Sequence, residues 1–297
     1  MEDDELKLPS DYELEKEMEM FLKRIENEKK IGNHILFVQS DIKLNSATSF
    51  AQYIFGQERL ITLIGELHNH SWQCDKPSLS IAEYCEKALK HNSMCKILLE
   101  YNKGDFPKKI GSEAIRDVYI VAEKMGMENN IIPFDNRAFF LTFRGQGELY
   151  SDRYYNYKTW EEIGNTFIEP FYKRWREKPD LFKVGDNYPV KIKNYLENQY
   201  VSDMDITFRT IAGMLGKYPN EEIHKALKDA WKKVADFFIL RILLRNDSVN
   251  EYIVILGEAH FNNIRGVLVT AGVELGYSQG NSKNCVSMYQ TYSFTDK

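Results

Sequence analysis

Two tetrapeptides of the same chemistry stand 192 residues apart in this chain, Gly65-Glu66-Leu67-His68 and Gly257-Glu258-Ala259-His260. Each closes an apolar run, LITLIGELH over 60–68 and YIVILGEAH over 252–260. Composition alone predicts about 0.03 Gly-Glu-X-His tetrapeptides in a chain of this length, so a matched pair marks a site. An imidazole exchanges protons near neutrality, and a carboxylate orients it or shares the proton. Two of each converging from neighbouring strands can hold a divalent metal, with Mn, Co, Fe or Zn better suited than Cu(I). They can equally run general acid/base chemistry with no metal. If each strand stays extended through its motif, Glu66 and His68 project to one side, as do Glu258 and His260. Gly65 and Gly257 leave room for a bend or a close approach.

Further charges fall at equivalent strand ends. Glu100 closes KILLE, and Asp135 closes IIPF with Arg137 two residues on. An acid directly after a buried strand is costly unless it is solvated, paired or used. Glu100 therefore joins His68, His260, Glu66 and Glu258 in the catalytic set, and joins the two histidines as a metal ligand in the metal version. Arg137 is placed to stabilise an oxyanion or bind a carboxylate. Asp135, Arg144 in LTFRGQG and His70 are assigned to the substrate side of the site. His34, His91 and His224 receive no role. No G-x-S-x-G elbow, G-x-G-x-x-G fingerprint or P-loop occurs.

The elements that must position these residues read as an α/β chain. HILFVQSD (34–41), LITLIG (60–65), CKILLEYN (95–102), NIIPFDNR (130–137), EYIVILGEAH (251–260) and NCVSMYQTY (284–292) are predicted strands. Helical spacing covers 49–55, 78–91 with Ser78 or Ser80 as cap, 111–125 and about 262–275. Strands that are apolar throughout and alternate with helices predict a mostly parallel central sheet flanked by helices, since half-exposed antiparallel strands alternate polar and apolar. A charged lead and helix occupy 1–31, and 138–156 reads as a loop. From 158 to 245 the pattern is almost purely helical, over 160–177, 190–200, 203–217 and 221–244, which predicts an insertion or lid over the strand C-terminal ends. The α/β core is thus divided into 32–157 and 246–297. Ligands of such sheets bind at the carboxyl edge of the strands, where both motifs sit.

Composition narrows the classes. The net charge of −5 argues against a nucleic-acid partner. The acidic N-terminus lacks the order of a signal peptide, and no run of 18 apolar residues occurs, so a cytoplasmic protein with no integral membrane segment is expected. Cys74, Cys85, Cys95 and Cys285 show no zinc-site spacing and are expected as reduced thiols.

The paired strand-end G-x-x-H motifs, with Glu100 ending an intervening strand and Asp135-x-Arg137 after the next, resemble the TIKI/TraB superfamily, which includes erythromycin esterase-like and ChaN-like haem-uptake proteins. The likeness covers roughly 58–145 and 250–292. It implies an α/β core under a helical portion, and a site containing His68, His260 and Glu100 with Arg137 nearby. Its members look like metal-dependent proteases, histidine-dependent lactone esterases or haem binders. The leading expectation is a hydrolase of an ester, lactone or amide bond in a small-molecule or peptide substrate. The alternatives are a haem or small-ligand binding protein without turnover, and an inactive scaffold.

Overall fold

The computed structural model of the chain describes residues 35–56, 59–66, 74–75, 77–101, 112–134, 184, 186–214, 217, 220–279 and 285–293. The expected lead helix, the 138–156 loop and the 160–177 helix lie outside them. Strand β1 (Ile35–Asn45) is followed by β2 (Ala47–Phe55), β3 (Arg59–Glu66) and the short β4 (Ser78–Leu79). Helix α1 (Ile81–His91), β5 (Lys96–Leu99), α2 (Glu113–Lys124) and β6 (Ile131–Pro133) come next. The helical region holds α3 (Val190–Tyr195), a π-helical turn (Leu196–Tyr200), α4 (Val201–Met214) and α5 (Asn220–Leu243). It leads into β7 (Glu251–Gly257), α6 (Glu258–Thr270), β8 (Glu274–Gln279) and β9 (Cys285–Ser293).

Six strands form one mixed sheet in the order β6-β5-β7-β3-β2-β8. Strands β6, β5, β7 and β3 run parallel, while β2 and β8 are added antiparallel at the β3 side. The mostly parallel sheet of the sequence reading is thus a mixed one. The correction comes from β2, which the spacing of 49–55 predicts as a helix. The segment Ala47–Phe55 is buried along nearly its whole length. A strand covered on both faces has no alternation to betray it. Strand β8 falls where the last helix was expected to finish. That helix instead starts four residues earlier, at Glu258, and ends at Thr270, where Ala271 and Gly272 (φ +76°) turn the chain back.

Both sheet faces are covered. Ala51, Tyr53, Ile61, Leu63, Leu98, Tyr252, Val254 and Leu256 share one core with Val234, Phe237, Leu240 and Leu244 of α5 and its end, and with Phe261 and Leu268 of α6. On the opposite face Phe50 meets Tyr84 of α1 edge-on. Ser80 caps α1 through a capping box with Glu83, and Ser112 caps α2. Buried Arg59 ties the end of α5 to the start of β3. It donates to the carbonyls of Leu243 and Val249 at 3.0 and 2.8 Å, and pairs with Asp247 at 2.7 Å. Its guanidinium lies 5.5 Å from the ring centres of both Phe55 and Tyr252.

A second sheet has the order β4-β1-β9. Strand β1 pairs parallel with β4, Lys43 opposite Ser78. The chain divides into two compact units, 1–40 with 289–297, and 41–288. The helical region and the six-stranded sheet belong to the larger one. Among the described residues no helix is long and apolar enough to cross a membrane.

Cys74 and Cys285 form a disulfide with Cα atoms 5.7 Å apart. This corrects the expectation of four reduced thiols. Irregular spacing along the chain carries no information about residues 211 apart that the fold brings together. Cys85 and Cys95 are free, and burial pushes both thiols well above their ordinary value, which keeps them inert.

Candidate active site

The two motifs end parallel neighbours. Strands β3 and β7 pair from Leu60 opposite Glu251 to Glu66 opposite Gly257, so Gly65-Glu66 and Gly257 lie side by side with a one-residue offset. Gly65 shows what this proximity requires. A Cβ there would stand 2.8 Å from Glu258 Oε2, closer than packed atoms tolerate, and a tight 3.1 Å from Ser49 Cβ. The glycine thus admits the Glu258 carboxylate against β3.

The second motif is not extended beyond its glycine. Gly257 ends β7 and is the N-cap of α6, so Glu258, Ala259 and His260 make the helix's first turn. Successive helical positions rotate by about 100°. Glu258 and His260 therefore point to different neighbours, contrary to the same-side expectation. Glu258 accepts hydrogen bonds from Thr48 Oγ1 at 2.6 Å and Ser49 Oγ at 2.7 Å, both on β2. His260 turns towards α5 and Glu100.

His260 Nδ1 lies 2.6 Å from Asp236 Oδ1, and Asp236 is fully buried in α5. The other carboxylate oxygen accepts a short hydrogen bond from Asn263 Nδ2. That amide also donates to the Tyr200 hydroxyl at 3.3 Å, and Tyr200 donates to the Lys233 carbonyl at 3.0 Å. On the far side of the ring, Nε2 stands 3.8 Å from Glu100 Oε1. Glu100 Oε2 accepts the Gly257 N–H at 3.0 Å, which fixes its carboxylate at the N-terminus of α6. The side chains of His260 and Glu100 remain 14% and 18% exposed, whereas that of Asp236 is sealed.

The electrostatics follow from that asymmetry. Burial alone disfavours the imidazolium, but the hydrogen bond and charge of Asp236, with the charge of Glu100, outweigh burial and the repulsion from Lys232. His260 is held above its ordinary 6.5. Burial pushes the Asp236 carboxyl above the usual carboxylate range, against the pull of its bonds to His260 and Asn263. A neutral His260 that donates Nδ1–H to Asp236 turns its Nε2 lone pair towards the Glu100 side. A nitrogen so placed has the chemistry to accept a proton near neutrality.

Of the residues singled out in the sequence, the fold brings His260 and Glu100 together. Glu66 is 2% exposed and accepts from Ser112, the N-cap of α2, at 3.1 Å. It extends from the sheet face opposite the one that carries the core with α5. Its described bond and those of Glu258 lead away from His260 and hold elements together. His68, His70, Asp135, Arg137 and Arg144 lie outside the described residues. Among the described residues no group of three or more His, Cys, Asp and Glu is arranged to hold a metal. Asp236, Asn263 and Tyr200 are the residues that motif reasoning missed. A pointer to the first was available: Asp236 interrupts the apolar stretch Val234–Leu244, where an acid must find a partner.

Neither a family model nor a curated protein nor a solved structure matches the chain.

Proposed function

We propose that the chain hydrolyses an ester, lactone or amide bond with His260 as general base and Asp236 as the group that orients it. The reading is carried by one observation: a buried carboxylate 2.6 Å from Nδ1 of a partly exposed histidine whose Nε2 lies 3.8 Å from Glu100. In this reading Nε2 takes a proton from water as its oxygen attacks the carbonyl carbon. The tetrahedral oxyanion then collapses, the C–O or C–N bond breaks, and the leaving group takes the proton back from Nε2–H. Asp236 stabilises the imidazolium without accepting its proton. Glu100 adds charge that favours the imidazolium and accepts from water in the space beside Nε2. In this reading His68 and Arg137 are the second histidine and the oxyanion partner. The likeness to the TIKI/TraB superfamily supports the same reaction class. A divalent metal held by His68, His260 and Glu100 would supply a more acidic water at that place.

The test is hydrolysis of p-nitrophenyl acetate, a simple lactone and a short peptide by the wild type, His260→Ala and Asp236→Asn. Each variant is expected to lose about 10³-fold or more in kcat on the substrate that turns over. Equal rates in wild type and His260→Ala overturn the proposal. The same Nε2 lone pair can ligate a haem iron, so a haem titration runs alongside. A Soret shift abolished by His260→Ala, without turnover of any substrate, favours the ligand-binding reading instead.

A further inference from the structure

We infer that Asn263 and Tyr200 are positioning residues for the His260 base, set by the π-helical turn Leu196–Tyr200. The inference rests on the reading of His260 as the base, and deepens it by bringing helices α3 and α4 into the machinery.

The direction of every proton in the network is forced. A backbone carbonyl only accepts, so the Tyr200 hydroxyl donates to Lys233 O. Its oxygen is then left to accept from Asn263. Asn263 spends its two amide hydrogens on Tyr200 and Asp236, because the flipped amide would set its oxygen against a carboxylate. With one Asp236 oxygen committed to Asn263, the other receives His260 Nδ1–H. The ionised Asp236, which can only accept, sets the ring tautomer and leaves Nε2 as the basic nitrogen, while Asn263 and Tyr200 hold the carboxylate in the orientation that faces Nδ1. Lys232 and Glu100 are the other charged groups that act on the ring.

The π turn explains how Tyr200 reaches this place. Ile192, Leu196, Tyr200 and Met204 are all buried, at strict intervals of four. On an ideal α-helix such a stripe drifts by about 40° per step, or roughly 120° over three. Widening one turn, with Val201 N–H bonded to Leu196 O five residues back, absorbs the drift. Tyr200 is then kept on the buried face, with its ring stacked 6.0 Å from Phe237, the neighbour of Asp236.

The test uses the full chain labelled with ¹⁵N-histidine. His260 Nδ1–H, assigned by its loss in His260→Ala, should resonate far downfield and exchange slowly with water. Tyr200→Phe removes one oxygen and keeps the ring stack, while Asn263→Leu removes both donors. Each should broaden that resonance and speed its exchange, with the melting temperature of Tyr200→Phe close to wild type. With p-nitrophenyl acetate, kcat should fall about tenfold with KM unchanged. A slow, unshifted Nδ1–H in Tyr200→Phe, or its absence from the wild type, overturns the inference. The two readings separate cleanly. If the ester is not hydrolysed but the resonance responds as stated, the hydrolase reading fails and the positioning stands. If the ester turns over and the resonance does not respond, the reverse holds.

Discussion

His260 links two quantities that respond to pH in opposite directions. Its folded pKa is raised above 6.5. The protonated ring therefore contributes stability that is fully present below the unfolded value and disappears as pH rises through the folded one. A general base needs the neutral ring, so the rate should climb across the window in which this stability is lost. A pH–rate profile whose acidic limb lies above 6.5, set beside melting temperatures over the same range, checks both signs. An activity that increases as pH falls through that window excludes His260 as the base. Removing the ring isolates its partner. In His260→Ala the Asp236 carboxylate, fully buried, loses its cation, and stability at neutral pH should drop by about 3 kcal/mol. The carboxyl of that variant is favoured protonated in the folded state, so the deficit should shrink as pH is lowered. Asp236→Asn keeps the shape and removes the charge, and should be the milder of the two in urea melts.

Neighbouring elements are joined through single residues with little freedom. Gly65 lets the first turn of α6 dock its carboxylate on β2, since a methyl there would meet Glu258 Oε2 at 2.8 Å. Gly65→Ala should therefore cost about 1–3 kcal/mol, as expected when extra volume enters a filled space. A melting temperature equal to wild type would show that Glu258 moves aside freely. Arg59 plays the corresponding part at the other end of the sheet, where its fork holds Leu243, Asp247 and Val249. Lysine keeps the charge but cannot reproduce several fixed donors. Arg59→Lys should lower stability by about 2 kcal/mol or more, and loosen α5 more than β5 in amide exchange. Uniform exchange rates across both elements would count against this role.

For the whole molecule the largest constraint is the Cys74–Cys285 bond, which closes a loop of 211 residues. In the chain-entropy limit such a loop stabilises by at most ~5 kcal/mol. Thiol titration of the denatured, unreduced protein should find Cys85 and Cys95 alone, two groups, and four after reduction. Four groups without reductant would remove the bond. A thiol reductant should lower the melting temperature, whereas Cys74→Ser should make melting insensitive to it.

The sequence by itself determined the α/β class, because apolar runs of five or six residues between helical patterns have few other uses. It determined that β3 and β7 end in the same motif, and that Glu100 closes a strand. Helices α1 and α2 were legible from their spacing, α1 with Ser80 as one of its two candidate caps, whose chemistry is local. Only the tertiary structure decided the rest. Whether Ala47–Phe55 is helix or strand depends on β3 and β8, which pair with its two edges. Whether Glu258 follows His260 depends on where a strand gives way to a helix, and Gly257 reads equally well on either side of that boundary. Asp236 and Tyr200 come from other elements than His260 and Asn263, which share α6, and the four are joined through packing. Sequence periodicity reports which face of an element is buried. It carries nothing on which buried polar atom lies opposite, and that pairing is what turns a motif histidine into a candidate base.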